Sequence, residues 1–367
     1  MVLLDGSRLV VESLARAGAD VFVGYPITPA NLLYSYSMRR LPSALAAPDE
    51  ITAAQWLCGF AATGLLPISA TSFPGFALML ESLNMACMME LPLVVVLAQR
   101  LGPATGSATA GADGDLLLLQ GAISGGFPLP VIAINSLEDC WNQPPLALAL
   151  AAKLRTPVVL LSAKEMLMTQ FSFELDSLPR IEPVPRRGDS GRRPHEPYAA
   201  GPDLVPDFLP VGNHEAQVRL NASTHDAGGI IQHLAPPALE NTARLELKLL
   251  ANLAEFTRFV LDEEAGADTV VVAWSVTASA AREAVASLRS RGRKVSLLLP
   301  NTLLPVPEDY LRILARYRRV VIAEENFSGH LRRILFGRAG RNGVVGVNAL
   351  GRMVTPEEIA AAVDSDD

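Results

Sequence analysis

Three side chains stand where an open α/β sheet could use them. Thr28 lies in the string VGYPITPAN (residues 23–31), where a hydrophobic strand runs into Tyr25 and is stopped by Pro26 and Pro29. The proline rings fix φ on either side of the threonine and hold it rigidly. It sits at the carboxyl end of a strand, the edge at which such sheets bind ligands. Glu50, preceded by Asp49, opens a helix of mostly small and apolar residues, ITAAQWLCGFAATG. A carboxyl in that place can act as an acid or base in a cleft, or can simply favour the positive end of the helix dipole. Arg100 closes the strand LPLVVVLAQR. A strand-end guanidinium can grip a carboxylate through two hydrogen bonds, or can be solvated.

Placing all three at one edge requires a parallel sheet covered on both faces, and residues 1–172 carry the pattern for it. The spacing of Leu9, Val10, Ser13, Leu14 and Ala17 predicts a helix over 6–18, stopped by Gly18. The strand ADVFVGYP follows, then a helix over 49–64, the strand PISAT, a helix over 75–90, the strand LPLVVVLAQR and the strand LPVIAI. A helix over 137–154, interrupted by Pro144 and Pro145, leads to the last strand, TPVVLLS. Continuous apolar strands separated by helices predict an α/β, doubly wound parallel sheet.

Between 173 and 210 the chain carries eight prolines together with Arg186, Arg187, Arg192 and Arg193, which no regular element accommodates. Residues 173–240 therefore read as a Pro/Arg-rich strap or linker. Alternation resumes over 241–367 as a smaller α/β domain. Its expected parts are a helix over 242–264, the strands TVVVAWS, KVSLLLP and RVVIAEE, and a closing helix that starts at Thr355-Pro356-Glu357-Glu358.

Composition removes several function classes. The 367 residues carry 31 Lys and Arg against 38 Asp and Glu, a net charge of −7, so there is no basic stripe for nucleic acid. Cys58, Cys87 and Cys140 form no C-x-x-C pair, which argues against a disulfide framework or a cluster held by this chain and for reduced thiols in a cytoplasmic protein. Asp5 and Arg8 break any leader-like apolar run, and the most apolar stretch, 57–80, is cut by Gly59, Gly64, Pro67, Pro74 and Gly75, so no membrane span is expected. Neither G-x-G-x-x-G after the first strand nor G-x-x-x-x-G-K-[ST] occurs. The string GDSG at 188–191 is similar to a serine-protease segment, but it falls in the strap, without the short strands of a double β-barrel, and reads as a chance match.

A series of segments resembles, in order and over almost the whole chain, the alpha subunit of 2-oxoacid:ferredoxin oxidoreductases. They are GYPITPA, PDEITAAQWLCGFAATG, SATSFPGFALMLESLNMA, LPLVVVLAQRLGPATG, LRTPVVLLS, STHDAGG, LLLPNTLLPVPED and VVIAEENFSGHLRRIL. The resemblance implies a thiamine diphosphate pyrimidine-binding domain, the strap, and a domain resembling the transketolase C-terminal fold. It implies that Glu50 hydrogen-bonds the pyrimidine N1′ and drives its tautomerisation, and that Pro26 and Ile27 line the cofactor. Thr28 would hydrogen-bond the substrate carboxylate or keto oxygen, and Arg100 would hold the carboxylate. It further implies oxidative decarboxylation of a 2-oxoacid, with coenzyme A taking the acyl group and ferredoxin the electrons. Mg²⁺ and a 4Fe-4S cluster are then expected in a beta subunit, the two subunits pairing as a heterotetramer, and the apolar helices at 53–64 and 75–89 are the expected interface.

The sequence also departs from the family pattern. Phe73 and Leu101 stand where glycine is usual, Ala110 where a cation is common, and Asp113 where glutamine is usual. 2-Oxoglutarate is the leading expectation for the substrate, yet the missing cation weakens the case for a second carboxylate. A thiamine-dependent decarboxylase subunit without ferredoxin, and a catalytically silent scaffold or regulatory paralogue, stand as alternatives. Glu325 and Asn326 end a strand of the second domain and receive no role.

Overall fold

The computed structural model describes residues 1–365. Its larger sheet has seven strands, in the order Thr302–Leu304, Val131–Ala133, Pro157–Ala163, Leu93–Gln99, Pro67–Thr71, Val21–Gly24 and Ser43–Ala46. Six of them run parallel, as the unbroken apolar strands predict. The seventh, Thr302–Leu304, enters antiparallel from far along the chain, pairing with Val131 and Ile132. The smaller sheet follows the order Val344–Asn348, Arg319–Glu324, Thr269–Ala273, Val295–Pro300 and Phe259–Asp262, the last strand antiparallel at the edge.

Side chains alternate across the central strands and so fill two layers. Val95 and Leu97 join an apolar cluster with the helices Glu50–Ala62 and Phe73–Met88, whereas Val94 and Val96 join a second cluster on the opposite face. The first cluster continues into Val270, Val272, Trp274, Leu298, Val320 and Ile322 of the second sheet. The two sheets therefore share one continuous core on that side.

Several elements differ from the sequence reading. The helix expected over 242–264 is Pro236–Phe256, and Phe259–Asp262 is a strand. β-Branched and aromatic residues suit the sheet edge there, and pairing with Val295–Pro300 overrides the helical continuation. The helix Asp139–Leu154 runs unbroken through Pro144 and Pro145. Pro144 removes the donor for the Cys140 carbonyl, and the Ser13 hydroxyl, which donates to the Val10 carbonyl at 3.0 Å, lies 3.4 Å from that oxygen. The second apolar helix starts at Phe73 rather than 75, with Pro74 in its tolerant first turn. Val2–Asp5 pairs with Gln170–Phe173, an antiparallel contact that no local pattern announces.

The strap contains almost no regular structure after Phe173, and polar bonds fasten it. Arg186 donates to the carbonyls of Gly64 and Gly18 and to Asp20, at 2.9, 3.2 and 2.8 Å. Arg155, fully buried, donates to the carbonyls of Pro197 and Asp207 at 3.0 and 2.7 Å. In the STHDAGG turn, Asp226 accepts from the Gly228 and Ile230 amides, each at 3.0 Å. Among the described residues no helix is long and apolar enough to cross a membrane.

Candidate functional site

The carboxyl ends of three adjacent strands bring the singled-out residues to one edge. Val21–Gly24 leads into Thr28, Pro67–Thr71 leads into Phe73 and Gly75, and Leu93–Gln99 leads into Arg100. Neighbouring strands lie about 4.8 Å apart, so these loops are immediate neighbours. Arg100 and Thr28, 72 positions apart in sequence, touch directly: the Arg100 Nη1 donates to the Thr28 carbonyl at 2.6 Å. Arg100 is 5% exposed, forms no ion pair among the described residues, and leaves its buried Nε without a partner.

Glu50 is the first residue of the helix Glu50–Ala62, and Asp49 caps that helix by accepting from the Thr52 amide at 2.7 Å. Capping thus falls to Asp49, which leaves the Glu50 carboxylate uncommitted. It is 6% exposed, and among the described residues no donor hydrogen-bonds it. The helix Phe73–Met88 approaches it so closely that a Cβ on Gly75 would lie 2.5 Å from Glu50 Oε1 and 2.1 Å from Thr71 Oγ1. The Ser72 hydroxyl at the start of this helix is buried and without a partner. The Glu50 carboxylate, free of protein donors among the described residues and next to the unpartnered Ser72 hydroxyl, is open to a flat polar ring presenting a nitrogen. Replacing Gly75 with alanine should displace the Glu50 carboxylate and lower kcat of the assembled complex by about 10²-fold with the fold retained, the scale of an ångström-level misplacement. Circular dichroism beside a rate measurement separates this outcome from unfolding.

The other predicted residues fall into place less uniformly. Pro26 is exposed on the turn, whereas Ile27 packs against the apolar cluster beneath it. Phe73 is half-buried and belongs to a helical turn instead of a loop. In the loop after Arg100, the Leu101 amide donates to the Ala110 carbonyl at 2.8 Å and the Ser107 amide to the Leu101 carbonyl at 2.9 Å. Gly106 has φ +47°, and a Cβ there would lie 1.7 Å from the Leu101 oxygen, so its glycine is sterically required.

Glu325 and Asn326, which the sequence left unassigned, are structural together with their neighbour Glu324. Glu324 is fully buried and accepts from the Trp274 indole, the Asn326 amide group and the backbone of Leu331 and Arg332, at 3.3, 3.0, 2.8 and 3.1 Å. Asn326 accepts from the His330 amide at 3.1 Å, and Glu325 from the Val354 amide at 3.3 Å. These groups organise the turn that leads into the helix His330–Phe336.

A cavity of about 680 Å³ opens elsewhere, between the strap and the amino ends of the strands, lined by Arg155, Arg186, Arg187, Phe208 and Glu215 among others. It lies at the edge opposite the one where parallel sheets bind ligands. An apolar groove of about 530 Å³ runs along the helix that Glu50 opens, past Trp56, Gly59, Phe60 and Leu45. Among the described residues no group of three or more His, Cys, Asp or Glu is placed to hold a metal ion. The three cysteines are free and buried, and burial pushes the Cys58 and Cys87 thiols up to about 11.

Residues 12–240 match the family model for the thiamine diphosphate-binding domain of pyruvate flavodoxin/ferredoxin oxidoreductases, and residues 267–359 match core domain II of pyruvate:ferredoxin oxidoreductase. Among curated proteins, the chain is 28% identical over 88% of its length to 2-oxoglutarate synthase subunit KorA of Methanocaldococcus jannaschii, and covers 88% of that protein. It is 29% identical over 95% of its length to ketoisovalerate oxidoreductase subunit VorB of Methanothermobacter thermautotrophicus, covering 93% of it. Among solved structures, 2-oxoglutarate:ferredoxin oxidoreductase from Magnetococcus marinus, with 2-oxoglutarate, coenzyme A and succinyl-CoA bound, superposes with a TM-score of 0.90 at 28% identity. That match covers 99% of this chain and 64% of the solved one. A split-gene transketolase, at 15% identity and a TM-score of 0.54, shares the fold over 98% of this chain and 95% of its own. The chain belongs to the pyruvate flavodoxin/ferredoxin oxidoreductase family, and residues 12–240 are its thiamine diphosphate-binding domain.

Proposed function

We propose that this chain is the alpha subunit of a 2-oxoacid:ferredoxin oxidoreductase. The enzyme decarboxylates a 2-oxoacid, passes the acyl group to coenzyme A and the electrons to ferredoxin, and works with a cytoplasmic beta subunit that carries the diphosphate site, Mg²⁺ and a 4Fe-4S cluster. The observation that carries this reading is Arg100, a buried cation that forms no ion pair among the described residues and leaves its Nε without a partner, at the same strand-end edge as Glu50. An unpaired buried cation is expensive, so Arg100 calls for an anionic ligand, and the free Glu50 carboxylate offers an acceptor to a hydrogen-bonding ring.

Bound thiamine diphosphate supplies the electron sink for cleaving the bond to the departing carboxylate. Glu50 would hydrogen-bond the pyrimidine nitrogen and hold or release the proton there, at a site where the missing Gly75 side chain leaves room beside its carboxylate. Arg100 binds the substrate carboxylate, oriented by its bond to the Thr28 carbonyl. Thr28 presents its hydroxyl to the substrate keto oxygen from the turn that Pro26 and Pro29 stiffen. The exposed Ile51, Trp56 and Leu78, on the helices bordering this edge, form the face that pairs with the beta subunit.

The test begins with anaerobic purification of the tagged chain from its host, identification of what elutes with it, and a visible spectrum. A brown complex with a cysteine-bearing partner and thiamine diphosphate is the expected result. A colourless chain eluting alone without thiamine overturns the reading. In the active complex, Arg100→Met should raise KM for the 2-oxoacid by roughly 10²-fold or more, the scale of one charged hydrogen-bonded contact, and an unchanged KM removes Arg100 from the substrate site.

A further inference from the structure

The loop between Arg100 and Asp115 is closed by one fully buried side chain. Gln99 donates through Nε2 to Asp113 Oδ1 at 3.1 Å and accepts from the Asp115 amide through Oε1 at 3.1 Å. Asp113 is fully buried, and its backbone amide donates to the Glu325 carbonyl at 2.9 Å. A single residue therefore touches both the strand that ends in Arg100 and the strand end of the second domain. Its second oxygen, Oδ2, is buried without a partner.

Each element packed around Asp113 presents acid or neutral groups to it. Glu324 and Glu325 come from the second-domain strand end and Ser275 from the turn after Thr269–Ala273. Glu165, itself bonded to the Gly111 amide at 3.1 Å and 3.7 Å from Lys164, comes from the helix Lys164–Met168. Around Glu325 stand Glu165, Thr277 and the Val354 amide. Asp115, beside Arg100, completes the group, and among the described residues no cation is ion-paired with Asp113. A carboxyl so enclosed is stable only when neutral.

We propose that Asp113 is a positioning residue for Arg100: its side chain accepts from Gln99 and its backbone amide holds the Glu325 carbonyl, which ties the Gln99–Arg100 strand end to the second domain, and repulsion between the Asp113 and Glu325 carboxylates loosens that hold when both are ionised. The inference rests on the reading of Arg100 as the substrate-carboxylate site. Burial, and then Glu325, push the Asp113 carboxyl well above the usual carboxylate range, while burial chiefly raises Glu325 to about 7. The Glu325 charge acts on Asp113, and carboxyls that interact titrate together.

The experiment measures KM and kcat for the 2-oxoacid in the purified complex between about pH 6 and pH 9, together with calorimetric substrate binding. The wild-type KM should rise by roughly tenfold across the ionisation of the pair, with kcat changing much less. Asp113→Asn keeps the shape and the Oδ1 acceptor but cannot ionise, so its KM should stay near the acidic wild-type value across the range. Asp113→Leu should raise KM at every pH. A wild-type KM that does not vary with pH, or an Asp113→Asn variant that keeps the alkaline rise, overturns the proposal. If Asp113→Leu does not fold, Asp113→Asn decides alone. An effect of Arg100→Met on KM without any effect of the Asp113 variants removes only this inference, whereas no effect of Arg100→Met removes the reading beneath it.

Discussion

Replacing Glu50 with glutamine is expected to lower kcat of the assembled complex by about 10²–10⁴-fold, the range for removing a positioned acid–base group. The substitution keeps volume and polarity, and Asp49 remains to cap the helix. Folding and subunit assembly should therefore be unaffected, and the loss should appear as a rate effect in single-turnover assays with the partner and cofactor present. A variant that turns over at the wild-type rate would take Glu50 out of the chemistry and would favour a scaffold role for the chain.

Replacing Glu90 with alanine should destabilise the chain by about 3–5 kcal/mol, because it would strand cations in the interior. Glu90 is fully buried and accepts from Arg244 Nη1 at 3.0 Å and Lys248 Nζ at 2.6 Å, with Arg244 Nη2 on its other oxygen. Its carbonyl also receives the Arg155 Nε at 3.2 Å. The cluster joins the end of the helix Phe73–Met88 to the helix Pro236–Phe256 that follows the strap, and through Arg155 it holds the strap itself. The loss should appear as a lower denaturant midpoint and as faster proteolysis within residues 185–215. Unaltered stability and protection would show the cluster to be dispensable.

Acid should act through the same cluster. Burial alone would raise Glu90, but Lys248, Arg244 and Arg155 outweigh it and hold its carboxyl at about 2, against an ordinary value of 4.5. Its stabilising contribution is therefore complete above the ordinary value and is lost as the pH falls towards 2. Asp115 and Glu325 have the opposite sign: burial raises each to about 7, so from about pH 4 to pH 7 the unfolded chain ionises while the folded chain does not. These two groups draw stability down as the pH rises through that window, and proton uptake on folding measures it.

What the sequence disclosed about the site was local. Prolines on either side of Thr28, small residues after Glu50, and an arginine ending an aliphatic strand identify positions within a single turn or strand end. Parallel strands then bring such ends together without needing further information. What stayed hidden depends on distant pairing. Asp113 reads as a polar loop residue, yet its burial is decided by Gln99 and Glu325, the latter more than 200 positions away in sequence. The strand Thr302–Leu304 is too short to announce which sheet it joins. Arg244 and Lys248 held a usable signal, since they recur four apart on the same helical face as Leu245 and Leu249, where a buried partner is required.

The most direct measurement counts carbon dioxide released from a C1-labelled 2-oxoacid against low-potential acceptor reduced by the complex purified anaerobically, with coenzyme A present. One carbon dioxide is expected for every two electrons delivered, with both products absent when thiamine diphosphate is removed. Release of carbon dioxide without acceptor reduction would contradict the oxidoreductase assignment and leave a non-redox decarboxylase subunit. Release of neither would leave a chain with the family's fold and no part in its chemistry.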